Sequence, residues 1–238
     1  LAPTILQGVA WPLARLMLDF FCHLTIRGRE NLDRAVRMKE GAKGGVVFAL
    51  NHTSELDPIL SLVAISPLST LFPMFYVSRD GSKYKHDAFG WRKHIYGSTF
   101  FGFWGAHSAL SGWNDYKKSL GLHAELLSHG HSVCIFPEGG ISKDGTLGQA
   151  RGGAAFLATE TDSVVVPVAV RGAWRMTNKD FFRRRRTITV TYGEPLLGRD
   201  LNLTQTSMAE QNAYRVAGQE IMGRIEDLLD DQKTKVEV

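Results

Sequence analysis

The chain has 238 residues, 44% hydrophobic and 22% charged, with a net charge of +4 and an isoelectric point near 9.1. These values exclude wholesale disorder, a collagen-like repeat and a disulfide-stapled scaffold, and they leave room for one sizeable core. Its two cysteines, Cys22 and Cys134, stand far apart with no C-x-x-C, so neither a zinc site nor a thioredoxin-like redox site is indicated.

Residues 1–26 are apolar but broken by Pro12, Arg15 and Asp19. No uninterrupted run reaches the ~18 residues of a membrane-spanning helix, and no signal-peptide pattern is visible. Leu13, Leu16, Met17, Phe20, Phe21 and Leu24 fall on one helical face, with Trp11 just ahead. Two readings are open: an interfacial anchor lying on a bilayer, or a first helix packed on its own domain.

Beyond this segment, strand and helix patterns alternate. Residues 24–28 and 46–50 read as strands, 58–65 as a helix and 73–78 as a strand. Residues 114–129 are helical, with Tyr116, Leu120, Ala124 and Leu127 on one face. A strand at 132–136, a helix at 153–160, strands at 164–170 and 187–192 and a final helix at 207–230 follow. Residues 80–113 are rich in Gly, Trp and Phe (Phe100, Phe101, Phe103, Trp104) with little periodicity, as in a substrate-binding surface or an irregular insertion. Short, fully apolar strands in βαβα order predict an α/β single domain, a largely parallel or mixed sheet flanked by helices. The expected division is an amphipathic helix over residues 1–23 and one domain over 24–238.

Two loops carry chemistry. Asn51-His52-Thr53-Ser54-Glu55-Leu56-Asp57-Pro58 follows the apolar strand 46–50 and precedes a helix. Pro58 suits a first helical position and Asp57 the cap before it. His52 at a strand end, five residues ahead of a carboxylate, can meet that carboxylate, which would fix the imidazole tautomer and leave the outer nitrogen as a base. The bland alternatives are a plain helix cap and a structural loop histidine. Phe136-Pro137-Glu138-Gly139-Gly140 follows a second apolar strand; its glycines allow a tight loop whose N–H groups face an anion, or an ordinary turn. In open α/β sheets ligands bind beyond the carboxyl ends of the strands, so parallel strands would bring His52 and Glu138 to one crevice.

These motifs resemble the glycerolipid acyltransferases of the lysophosphatidic acid acyltransferase (PlsC-like) family. Asn51-His52 to Asp57 matches its N-H-x4-D signature and residues 136–139 its F-P-E-G. Residues 164–170 are similar to its V-V-P-V strand, and Ile26-Arg27-Gly28-Arg29-Glu30-Asn31-Leu32 to its V-x-G-x-E-N-L lead-in. The match covers residues 24 to 195. The resemblance implies a glycerol-3-phosphate acyltransferase-like fold and an enzyme moving an acyl group from acyl-CoA or acyl-carrier protein to a lysophospholipid hydroxyl, with 1-acylglycerol 3-phosphate as the expected acceptor. It implies His52 as general base with Asp57 orienting it, and Phe136, Pro137, Glu138, Gly139 and Gly140 binding the phosphate-bearing acceptor. No metal, no cofactor and no covalent acyl-enzyme are expected. The expected setting is the cytoplasmic face of a membrane.

Two departures stand out. The family commonly reads F-P-E-G-T-R, whereas Gly140-Ile141 stands here, without the arginine credited with phosphate binding. Arg151, in Ala150-Arg151-Gly152-Gly153, is the expected substitute. A second basic motif usually ends in Arg; the comparable residues 103–107 end in His107. Both changes bear on the acceptor headgroup, so another lysophospholipid or a lyso-aminolipid is the nearest rival, and a non-catalytic lipid-binding module the rival of another class. Arg171, Arg175, Lys179 and residues 183–186 form a basic run opposed only by Asp180. It is read as long-range attraction to anionic lipid or to an acidic carrier; nucleic-acid binding lacks any recognition helix or aromatic RNA motif. His86, His94, His123, His129 and His131 show no metal-ligand spacing.

Overall fold

A computed structural model describes residues 2–78, 102–109, 115–203 and 210–234. His86, His94, Phe100 and Phe101 lie outside the described residues. In chain order the elements are α1 (Ala2–Phe21), β1 (His23–Arg27), α2 (Arg29–Glu40), β2 (Val46–Leu50), α3 (Asp57–Leu62), β3 (Met74–Ser78), β4 (Ala106–Ser108) and α4 (Tyr116–Ser128). There follow β5 (Ser132–Ile135), α5 (Gly153–Glu160), β6 (Val164–Arg171), α6 (Asn178–Phe182), β7 (Thr187–Tyr192), β8 (Leu196–Leu197) and α7 (Glu210–Thr234).

One sheet runs β1-β7-β6-β2-β5-β3-β4, with β8 paired to β6. All pairings are parallel except those of β7 and β8 with β6. The sheet is therefore mixed around a parallel centre. Side chains alternate across it. Val46, Phe48, Leu50, Val166 and Val168 meet α1, α2 and α3 on one face. Val47, Ala49, Val133, Val165 and Ala169 meet α4, α5 and α7 on the other. Two covered faces explain why the central strands are continuously apolar.

Several sequence expectations shift. α2 has no apolar periodicity that predicts a helix: its pattern is polar, and only Leu32 and Ala35 are buried. Leu24 lies in β1, in keeping with the strand expected over 24–28, and therefore leaves the helical face on which its spacing also put it. Asp57 is the first residue of α3, and Leu56 occupies the cap position. Trp11 faces the body, where its indole N–H donates to the carbonyl of Leu62 at 3.2 Å. Among the described residues no helix is long and apolar enough to cross a membrane.

Candidate active site

The parallel register pairs Ala49 with Ile135 and Leu50 with Val168. The loops after β2 and β5 therefore leave the sheet at one edge. Asn51 secures this edge: its amide donates to the carbonyl of Val170 at 2.9 Å and accepts the N–H of Val170 at 2.7 Å. This crosslink from β2 to β6 sets the point where His52 departs. Its sequence signal is a polar residue closing an apolar strand.

Asp57 is fully buried. Its Oδ2 accepts the N–H groups of Thr53 (2.6 Å) and Ser54 (2.8 Å) and lies 3.0 Å from His52 Nδ1; its Oδ1 accepts the Ser54 hydroxyl at 2.8 Å. The carboxylate closes the 52–57 turn on itself, so the spacing of the motif follows from the turn that the chain must make. An acceptor at Nδ1 places the ring proton there and leaves Nε2 as the basic nitrogen. Nε2 makes no hydrogen bond among the described residues. The imidazole is stacked on Phe136, with ring centroids 3.9 Å apart and planes 17° from parallel. One contact thus fixes the ring plane and the other fixes its rotation.

Glu138 lies beside His52, but both of its oxygens bind backbone. Oε1 accepts the N–H of His52 at 2.8 Å and Oε2 that of Gly148 at 2.9 Å. Burial raises its pKa above the ordinary carboxylate value, while those two N–H groups act in the opposite direction. The loop is tied down further by Ser142, whose N–H donates to the His52 carbonyl at 2.7 Å. Pro137 is buried and its carbonyl accepts the N–H of Arg151 at 2.9 Å. Gly139 has φ +69°, and a Cβ there would lie 2.6 Å from Arg151 Cδ. The glycine lets the arginine side chain cross the loop. Gly140, half-buried, follows it.

The cations are distributed unequally. Arg151 is brought to the loop, with its side chain exposed over Gly139. Ile141, in the position of the family's arginine, is exposed. His107 sits on edge strand β4, stacked near Phe75 at 6.1 Å and 6.4 Å from His123, and burial lowers its pKa. That burial disfavours its positively charged form. Arg171 ends β6, one residue past the Val170 held by Asn51, and its Nη1 is buried with no hydrogen-bond partner among the described residues. Antiparallel pairing of β6 with β7 sets Arg171 opposite Thr189, so the end of β6 lies beside the start of the strand that follows the basic run. Among the described residues no cluster of three or more His, Cys, Asp or Glu side chains is arranged to hold a metal ion.

The arrangement offers a buried carboxylate, an oriented imidazole, an outer nitrogen without a protein partner and a cation within one loop of it. Such a set can take a proton from a hydroxyl.

Comparison with known proteins gives the same direction. The family model Acyltransferase matches residues 23–171. The chain is 37% identical over 76 residues to a chloroplastic 1-acyl-sn-glycerol-3-phosphate acyltransferase of Arabidopsis thaliana, covering 31% of this chain and 21% of the relative. It is 35% identical over 81 residues to one of Brassica napus, covering 33% and 24%. The chain thus spans about a quarter or less of the length of these curated relatives. The crystal structure of the 1-acyl-sn-glycerophosphate acyltransferase PlsC from Thermotoga maritima superposes with a TM-score of 0.51 at 18% identity, over 87% of this chain and 73% of that one, and so shares the fold. With more than half of its length matched, the chain belongs to the acyltransferase family.

Proposed function

We propose that the protein transfers a fatty acyl group from a thioester, acyl-CoA or acyl-carrier protein, to the free hydroxyl of a lysophospholipid, with 1-acylglycerol 3-phosphate as the acceptor. The observation that carries this reading is the His52–Asp57 pair, oriented by Phe136 and anchored by Glu138 at the edge where β2 and β5 end.

The acceptor hydroxyl donates to His52 Nε2. As its oxygen attacks the thioester carbonyl carbon, Nε2 takes the proton, and the imidazolium faces Asp57. The tetrahedral oxyanion then collapses, the C–S bond breaks, and the departing thiolate recovers the proton from Nε2. Atoms and charge balance with no covalent acyl-enzyme. General-base catalysis of this kind contributes about 10²–10⁴-fold, and alignment of the two substrates several kcal/mol more.

Arg151 binds the acceptor phosphate in place of the arginine missing after Gly140, with Arg171 as a second cation. Glu138 acts by positioning: with both oxygens on backbone N–H groups, its charge is not directed at the acceptor. Phe136, Pro137, Gly139 and Gly140 shape the loop that receives the headgroup. A neutral or amino-headgroup acceptor is the competing reading, favoured by the exposed Ile141 and by His107, whose charged form burial disfavours.

The test is mass spectrometry of the products formed by purified protein given mixed lysolipids and one acyl thioester. Phosphatidic acid as the main product supports the reading. Another diacyl product would move the acceptor. No product with any lysolipid, from folded protein, would overturn acyl transfer.

A further inference from the structure

β7 reverses the direction of the sheet. It pairs antiparallel with β6, Val190 opposite Val170 and Tyr192 opposite Val168, and β1 runs parallel with it. The carboxyl ends of β1 and β7 therefore emerge at the edge opposite to the one that carries His52 and Glu138. Ligands of α/β sheets gather beyond the carboxyl ends of strands, and this second edge has a cleft of its own. The cleft measures about 550 Å³ and is enclosed by the end of β1, the start of α2, the end of β7 and the last turns of α7.

One wall is the start of α2. Gly28, with φ +71°, occupies the cap position and offers no side-chain acceptor. Asn31 pins this first turn to the end of β7, its amide donating to the Tyr192 carbonyl at 2.9 Å. The N–H groups of Arg29 and Glu30 make no hydrogen bond among the described residues, as at any uncapped helix start. Arg27 and Arg29 flank Gly28 on the cleft and form no ion pair among the described residues. Two guanidinium groups beside a helix N-terminus suit an anion, a phosphate above all.

The other wall is the end of α7. Gln232 lines the cleft and is 2% exposed. Its Nε2 donates to the Thr191 hydroxyl at 2.8 Å and to the Ala169 carbonyl at 3.5 Å, while its Oε1 is buried with no hydrogen-bond partner among the described residues. A buried amide oxygen without a donor is costly, and an ammonium group would supply one. Asp231 stands beside it on the same wall, and the carbonyl end of a helix carries partial negative charge.

The charges of the cleft decide what kind of molecule joins the two walls. Arg27 and Arg29 share it with Glu30, Glu194 and Asp231, and Glu194 is matched by Arg34 at 2.6 Å. With Arg34 counted, cations and carboxylates balance, so a lone phosphate gains little net attraction. A molecule with an anionic and a cationic end answers both walls. Ile26 and Leu228 add apolar surface for the carbons that join those ends.

We propose that this cleft is a second ligand site, separate from the active site, for a small water-soluble zwitterion: a phosphate monoester that carries a primary ammonium group. The phosphate sits on the α2 N-terminus with Arg27 and Arg29, and the ammonium donates to Gln232 Oε1 beside Asp231. A monoester dianion answers two guanidinium groups, whereas the phosphodiester of a lipid headgroup carries one charge. The inference goes beyond acyl transfer and does not depend on it.

Titration calorimetry on the full chain compares phosphoethanolamine with inorganic phosphate and with ethanolamine, its two halves. Phosphoethanolamine should bind at least about ten-fold more tightly than either. Arg29→Met and Gln232→Leu should each weaken it by roughly ten- to a hundred-fold, the worth of a hydrogen bond to a charged group. Arg29 is exposed, so its variant keeps the fold even where Gln232→Leu, which loses the bond to Thr191, does not. Arg151→Ala should leave the binding unchanged. Inorganic phosphate binding as tightly as phosphoethanolamine, or no binding of phosphoethanolamine, would overturn the proposal. So would an Arg29→Met variant that binds like the wild type, or loss of binding in Arg151→Ala, which would move the ligand to the active site. Glycerophosphoethanolamine, a phosphodiester, should bind at least about ten-fold more weakly than the monoester; equal binding would assign the cleft to a lipid headgroup instead. No acyl thioester is present in these titrations, so a failure of acyl transfer leaves their outcome untouched.

Discussion

Glu138 accepts the backbone N–H of His52 through Oε1 at 2.8 Å, so the carboxylate of the second motif holds the main chain of the first. Its other oxygen holds Gly148. A residue that the family resemblance assigns to substrate binding thus has its acceptors occupied inside the protein. Glu138→Gln retains one carbonyl acceptor and turns an NH2 group against the second N–H. Displacing a reacting group by about 1 Å can cost a hundred-fold. The variant should therefore lose roughly ten- to a hundred-fold in kcat with little change in acceptor KM. A rise in KM at constant kcat would return Glu138 to the substrate.

His52 and Asp57 separate on stability. His52→Ala should remove nearly all transfer, in line with the ~10²–10⁴-fold share of a general base, and leave the melting temperature almost unchanged because its ring lies at the rim. Asp57→Asn should cost less activity but more stability. Its carboxylate gathers His52, Thr53 and Ser54, and an amide cannot accept all four of their donors. Leaving one buried donor unmet costs about 1–3 kcal/mol. Thermal melts and single-turnover assays on both variants check the ordering. Substantial turnover by folded His52→Ala would falsify the base assignment.

His123 predicts an acid limb unconnected with catalysis. It is 1% exposed, its Nδ1 has no hydrogen-bond partner among the described residues, and burial lowers its pKa to about 4 against the opposing contact with the Tyr76 carbonyl. Between the ordinary 6.5 and that value the unfolded chain binds a proton that the folded chain does not. Stability is therefore lost as pH falls through this window, by roughly 3 kcal/mol at most. Urea titrations from pH 7 to about pH 4.5 should show the decline, and His123→Gln should flatten it. An equally steep limb in the variant would remove His123 as its cause.

The edge that carries the site was legible because short apolar strands ending in Asn51-His52 and Phe136-Pro137-Glu138 leave little choice of where the loops emerge. Other features depend on long-range packing. Periodicity placed Phe20 and Phe21 on one helical face, yet could not say that Gln7, a polar residue, anchors the inner side of α1 while Val9 and Leu16 stay bare. α2 escaped notice because it covers the sheet with only Leu32 and Ala35 fully inside. Asp57 reads as a helix cap from local spacing. Its role as a hub for the preceding turn emerges only when its burial is known.

Arg151 and Arg171 should respond differently to substitution. Arg151 is exposed and crosses Gly139, so Arg151→Ala should raise the acceptor KM and leave the fold intact. Arg171 has a buried guanidinium nitrogen with no partner among the described residues, a costly arrangement unless an anion completes it. Arg171→Met, similar in length and uncharged, removes that cost. Its melting temperature should therefore hold or rise, while the KM for the phosphate-bearing substrate rises roughly ten- to a hundred-fold, the worth of one hydrogen bond to a charged group. Separate titrations of acceptor and of acyl-CoA show which phosphate each arginine serves. A drop in melting temperature with unchanged KM would make Arg171 structural, and two unchanged KM values would favour an acceptor with a neutral headgroup.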